Sequence, residues 1–180
     1  MSMLHWPVPR SYSRTIPSQK SPGSFWENRG DRYHCGVDIY APAGSEVFAI
    51  KGGRILDISI ATPHGFREYW NTTYSVLIQT NRGLYCRYAE LGEVDVQRDG
   101  AVKTGDLIGL IGCVLNVDLI DASAPPYIQK LKERGNVSML HFELYIKPPQ
   151  KNHNYVGGNW FGKDHPVGLI DPTDYLKQLF

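Results

Sequence analysis

Two segments of this sequence hold side chains whose types and spacing could do chemistry together. YHCGVDIYAP (33–42) places His34 and Asp38 four residues apart, with Gly36 between them to allow a turn or a close approach. SMLHFELYI (138–146) reads as a strand, which puts Met139, His141 and Glu143 on one face because residues i and i+2 share a face. Two imidazoles and a carboxylate are a standard ligand set for a catalytic zinc, with a fourth position left for water. Spacing alone leaves plainer readings open. Asp38 beside His34 is equally a surface ion pair, His141 equally a core histidine with its hydrogen bonds met, and Glu143 a cross-strand partner for a lysine or arginine.

The elements that must position these groups read as short strands. The chain has 180 residues, 18 Gly, 12 Pro and 12% aromatic content, which favours tight turns and strands over long helices. Hydrophobic residues at 42% suit one globular domain with a core that needs no disulfide staples. VFAIKGGRILDISIA (47–61) is expected to form a hairpin about Lys51-Gly52-Gly53, and YSVLIQTNRGLYCRYAEL (74–91) a second one about Asn81-Arg82-Gly83. Glycines at 100, 105, 109 and 112 mark turns or close backbone approaches between aliphatic residues. A helix is expected within 125–134, opened by two prolines and closed at Gly135 after a basic last turn. A short one follows from about 171, with Asp171 or Thr173 as cap.

Composition also excludes functions. A formal charge of +1, from 19 basic and 18 acidic residues, argues against binding nucleic acid by bulk phosphate neutralisation. No apolar run reaches the length of a membrane span, and the N-terminus, rich in Pro, Ser and Arg, lacks a signal-peptide pattern, so the chain reads as soluble. Cys35, Cys86 and Cys113 make neither a disulfide framework nor a CxxC pair. In an extended segment Cys35 points away from whatever His34 binds. His64, His153 and His165 fall in loops and read as exposed, although His153 or His165 could fold back as a proton donor.

YHCGVDIYAPAGSEVFAIKGGRI (33–55) resembles the signature of the lysostaphin-type (LytM-like) zinc endopeptidases: His-x-Gly-Ile-Asp, then Ala-Pro-x-Gly-x-x-Val-x-Ala. The likeness continues through YAELGEVDVQRDGAVKTGDLIGLIG (88–112) and LHFELY (140–145), and ends at IDPTDYL (170–176). It implies an N-terminal arm (1–32) and a peptidase-like domain (33–180). The implied fold is mainly β, an antiparallel sheet or open sandwich of the duplicated hybrid motif kind, with short helices in an insertion and at the C-terminus. It implies Zn2+ held by His34, Asp38 and His141. The family's two further active-site histidines fall on Glu90 and Met139. A thioether cannot move a proton, whereas Glu90 is open to three roles: a substitute general base, a fourth metal ligand, or a solvated side chain. Glu143, beside His141, is expected behind the ligands or along the groove.

The resemblance thus implies a metallopeptidase acting on peptide bonds of bacterial peptidoglycan, with Glu90 as catalytic group. The alternatives are a catalytically inactive metal-holding homologue that binds peptidoglycan or peptide, and an interaction scaffold without metal. The segment 114–138 replaces the family's Gly/Ser/Thr-rich stretch, and its helix is expected to stand beside the groove. The run NYVGGNWFG (154–162) is expected either to line that groove or to anchor its loop through Trp160 and Phe161.

Overall fold

Strand-forming sequence is spread along most of the chain, and the computed structural model, which describes residues 5–135 and 137–179, folds it almost entirely into antiparallel pairs. In chain order the strands are β1 (Tyr33–His34), β2 (Val37–Tyr40), β3 (Glu46–Phe48), β4 (Gly53–Thr62), β5 (Thr73–Thr80) and β6 (Tyr85–Val94). They continue as β7 (Ala101–Val102), β8 (Leu107–Ile111), β9 (Met139–Tyr145), β10 (Tyr155–Val156), β11 (Asn159–Trp160) and β12 (Leu169–Ile170). Two α-helices, α1 (Pro126–Arg134) and α2 (Thr173–Lys177), are found among the described residues.

The main sheet runs β12-β9-β6-β5-β4-β7, with β2 added to β9, β8 to β6 and β3 to β8. A small sheet, β1-β11-β10, stands apart from it. The mainly β, antiparallel architecture read from the sequence is the one found. β9 shows why. Leu140, Phe142 and Leu144 enter the main apolar cluster with Val37, Ile39, Val76, Ile78 and Tyr88, while Met139, His141 and Glu143 alternate with them. All seven β9 residues are buried, since both faces of the strand are covered. Each fully buried aliphatic or aromatic side chain of this kind contributes roughly 1.5–3 kcal/mol.

The hairpin at Asn81-Arg82-Gly83 forms, joining β5 to β6. The one expected about Lys51-Gly52-Gly53 does not: β3 pairs with β8, and β4 pairs with β5 and β7. The reason is steric. A Cβ on Gly53 would lie 2.1 Å from the Gln79 carbonyl oxygen, so this glycine serves a close strand approach and not a two-residue turn. α1 keeps its expected ends, with Pro126 in the first turn, Lys132 and Arg134 in the last and Gly135 as C-cap. It docks through Ile128, which packs with Trp70, Val114, Leu115 and Ile120. At α2 the cap position falls on Pro172, and the Asp171 carboxylate accepts the Thr173 N–H at 2.8 Å.

The residues before β1 form no long element but join the domain closely. Trp6 and Val8 lie in the main core. The Phe48 N–H donates to Pro7 O at 2.8 Å and the Tyr12 N–H to Tyr40 O at 2.9 Å.

Candidate metal centre

Strand register brings the candidate ligands together. Asp38 on β2 is the direct antiparallel partner of His141 on β9, and side chains so placed have Cβ atoms about 4.5–5.5 Å apart. On the other edge of β9, Ala89 faces His141 with a small side chain. His34 arrives from β1 across Gly36. A Cβ at Gly36 would stand 2.3 Å from Phe142 O and 2.9 Å from His141 Nε2, so only glycine lets the chain pass this close to β9. Cys35, between them, turns the other way, into a cluster with Tyr145, Trp160 and Leu169.

The donor atoms form a nearly equilateral triangle. His34 Nε2 is 3.0 Å from Asp38 Oδ1 and 2.9 Å from His141 Nδ1, and His141 Nδ1 is 3.0 Å from Asp38 Oδ1. All three residues are buried. The outer atoms of the rings fix their protonation. His34 Nδ1 lies 2.8 Å from Ser24 O and His141 Nε2 lies 2.9 Å from Glu143 Oε1. Those oxygens only accept, so the outer nitrogens carry the hydrogens, and the inner ones present lone pairs to each other and to a carboxylate. Three inward lone pairs need a positive charge among them. Without metal, a second proton on His141 supplies it: burial opposes that charge, but the hydrogen bonds to Asp38 and Glu143 outweigh it and raise the His141 pKa to about 10. Burial would likewise raise Asp38, yet the imidazoles of His34 and His141 hold it well below the carboxylate range. His34 is shifted down by burial and by the charge of Arg29. A divalent cation meets the same need with better directionality, and Zn–N and Zn–O bonds of about 2.0–2.2 Å span a triangle of this size. The donor set fits zinc.

Behind His141, the Glu143 carboxylate is fully buried and accepts from four groups: His141 Nε2, Tyr155 OH at 2.6 Å, Tyr145 OH at 2.6 Å and Arg87 Nη1 at 3.2 Å. Arg87 and Glu143 are cross-strand partners on β6 and β9. Burial alone would raise the Glu143 pKa. Arg87 and the bond from His141 overcome this and bring it to about 2. Asp38 is braced in a similar way. Arg29 Nη2 reaches Asp38 Oδ2 at 3.3 Å, while its Nε and Nη1 donate to Glu27 and Asn159 at 3.1 Å each.

A cleft of about 200 Å³ opens beside the triad, with Asp38, Glu90 and Met139 among its lining residues. Glu90 sits in a bulge: Val76 faces Tyr88 and Tyr74 faces Leu91, so Ala89 and Glu90 together oppose a single residue of β5. Its φ is +67°. Bulges of this sort re-aim side chains beside active sites. Glu90 Oε2 is buried without a hydrogen-bond partner, and burial, aided by the Asp38 charge, lifts its pKa to about 8. Met139 gives the cleft an apolar wall. α1 of the 114–138 insertion closes another side through Tyr127, Ile128 and Leu131.

The remaining histidines stay outside. His64, His153 and His165 are exposed, and His165 packs on Trp26 with ring centroids 4.3 Å apart. Of the 154–162 run, Gly157 and Asn159 line the cleft while Trp160 is buried in the core cluster behind Cys35. Sequence reasoning missed Arg29 and Arg32, which line the cleft from the end of the N-terminal arm. The polar run ENRGDR carried no signal that separates buried arginines from solvated ones.

A buried His/Asp/His triangle whose aspartate lines a cleft, on an antiparallel β frame, is the kind of site that metal-dependent hydrolases use. The sequence agrees: residues 32–155 match the model of peptidase family M23, and the chain belongs to that family. None of the curated proteins matches the chain. The antimicrobial peptidase lysostaphin from Staphylococcus simulans shares the fold at 18% identity and a TM-score of 0.55, over 98% of this chain and 56% of that one. A Ruminococcus gnavus protein assigned as a glycyl-glycine endopeptidase, LytM, does so at 20% identity and a TM-score of 0.53, over 98% and 60% respectively.

Proposed function

We propose that this protein is a zinc metallopeptidase that hydrolyses peptide bonds of bacterial cell-wall peptidoglycan, with Glu90 as its proton-transferring group. The observation that carries the reading is the triangle of His34 Nε2, Asp38 Oδ1 and His141 Nδ1, three lone pairs facing one point beside a cleft that Asp38 lines. His34, Asp38 and His141 would hold the zinc, which supplies a Lewis acid that activates water and polarises a peptide carbonyl. Glu143 holds His141 in the tautomer that leaves Nδ1 free, as Ser24 O does for His34. Arg29 keeps Asp38 Oδ1 turned inward by occupying Oδ2. Glu90, half-buried in the same cleft with Oε2 unpartnered, would in its ionised form, which the charge of a bound cation favours, take a proton from the attacking water and pass it to the leaving amine. Met139 adds no proton carrier but excludes water from that wall.

One observation favours a second reading. Met139 stands on the cleft wall with a thioether, which cannot move a proton, and this would suit a homologue that keeps the metal and binds wall peptides without turning them over. The test is hydrolysis of cross-linked peptidoglycan and of oligoglycine by the zinc-loaded protein, with and without chelator. Chelator-sensitive cleavage is expected, and Glu90→Gln should slow it about 100- to 10,000-fold while leaving zinc affinity in place. Wild-type protein that retains zinc and cleaves neither substrate overturns the peptidase reading in favour of the binding module.

A further inference from the structure

The wall of the cleft near α1 is basic. Arg32, Lys130 and Arg134 line it, while Asp38 of the triad and Glu90 also line the cleft. Arg29 is already committed to Glu27, Asp38 and Asn159. Arg32 is placed differently. It is only 7% exposed, and its guanidinium carbon lies 5.4 Å from the centroid of Tyr127 and 5.5 Å from that of Phe161. Nη1 donates to Asp31 at 2.8 Å and Nη2 to the Tyr127 hydroxyl. Nε is buried and has no acceptor. Asp31 is itself 59% exposed, and Arg67 shares it at 3.9 Å. One half-solvated carboxylate therefore serves two guanidinium groups.

A guanidinium held beside two aromatic rings offers its N–H groups along its edge, and such an edge matches a planar two-oxygen anion. Because Arg32 is stripped of water and short of acceptors, its demand is strong: a buried donor without a partner is costly to leave so. The space fits the end of a peptide better than a long stretch of one, since about 200 Å³ falls below the ~300–1,000 Å³ usual for small-molecule sites. Lys130 and Arg134, exposed on α1, add a field that draws anions toward the opening.

We propose that the cleft takes its peptide by a free carboxylate, which docks on Arg32 beside Tyr127 while the adjoining backbone runs toward Asp38 and Glu90. The substrate class is then a peptide with a carboxylate close to the scissile bond, and not a neutral interior strand. The inference rests on reading the cleft as a peptidase groove, but the binding it describes needs no turnover.

The test is calorimetric titration of the full chain with pentaglycine and with pentaglycine amide, in the zinc-loaded protein and again in excess chelator. The free acid should bind at least tenfold more tightly in both states, because the anion sits on Arg32 and not on the metal. Arg32→Gln should bring acid and amide within twofold of each other, while Tyr127→Phe, which keeps the ring and removes the hydroxyl, should preserve the preference. Equal binding of acid and amide by wild type overturns the proposal, as does a preference that vanishes on chelation or persists undiminished in Arg32→Gln. If Arg32→Gln fails to fold, the wild-type titrations and Tyr127→Phe decide. A preference for the acid without any chelator-sensitive hydrolysis would remove the peptidase reading and leave this one standing. Equal binding and cleavage of both peptides would do the reverse.

Discussion

Replacing Glu143 by glutamine keeps the shape of the side chain and removes its charge. One carboxylate now takes four donors, two on each oxygen. An amide offers a single acceptor oxygen, so in either orientation two donors meet an NH2 group. If the oxygen stays with His141, Arg87 is left charged, 17% exposed and without its partner. Breaking a buried ion pair from one side costs about 3–5 kcal/mol. The downward shift of the Glu143 carboxyl has a similar size: the gap between the ordinary value of 4.5 and about 2 corresponds to on the order of 3 kcal/mol. The sign follows from the downward shift. Between pH 4.5 and 2 the unfolded chain takes up a proton that the folded one resists, so this stabilisation is complete above about 4.5 and is lost as pH falls toward 2. Losing the acceptor behind a ligating histidine should also weaken zinc binding about 10- to 100-fold. The assays are zinc titration against a chromophoric chelator, and urea unfolding of metal-free protein from pH 6 down to 3. Glu143→Gln should bind zinc more weakly, unfold at lower urea, and show a shallower loss of stability with acid. Zinc affinity within twofold of wild type, with an unchanged acid profile, would refute the reasoning.

Gly36→Ala should destabilise the protein by about 1–3 kcal/mol or more, because the new methyl would meet main-chain Phe142 O at 2.3 Å; zinc affinity should fall with it, and denaturant melts with metal titration check both. Tyr88→Phe removes the buried hydroxyl that accepts the Ile50 N–H at 3.0 Å, and the orphaned donor should cost about 1–3 kcal/mol in chemical denaturation with no change in zinc affinity. Saturating zinc at about 1,000 times its Kd should stabilise the fold by about 4 kcal/mol, a rise of roughly 10 °C in Tm for a chain of this size that chelator reverses.

The parts of the site legible in the sequence were those set by strand geometry and family text. His34, Asp38 and His141 stand in recognisable motifs, and the i, i+2 rule placed Glu143 beside His141, where it is found. Two features were illegible for different reasons. The Gly52-Gly53 pair looks like a hairpin turn because turn and close approach demand the same residue, and only the partner strand, here Gln79 on β5, tells them apart. Arg29 and Arg32 sit in a polar run of the kind that usually faces water. Their burial depends on Asn159, Tyr127 and Phe161, more than ninety residues away, and no local pattern encodes that. Glu90 was visible as a substitution, but its left-handed backbone is set by a bulge that only pairing with β5 defines.

The stretch ahead of β1 has a practical consequence for anyone dissecting the gene. The region shared with relatives starts at residue 32, and a deletion series would naturally begin there. Such a truncation discards the Ser24 carbonyl that orients one imidazole and the Glu27–Arg29 pair that steadies the aspartate, and it uncovers the hydrophobic seat of Trp6 and Val8. Loss of metal binding in such a product would report a missing buttress.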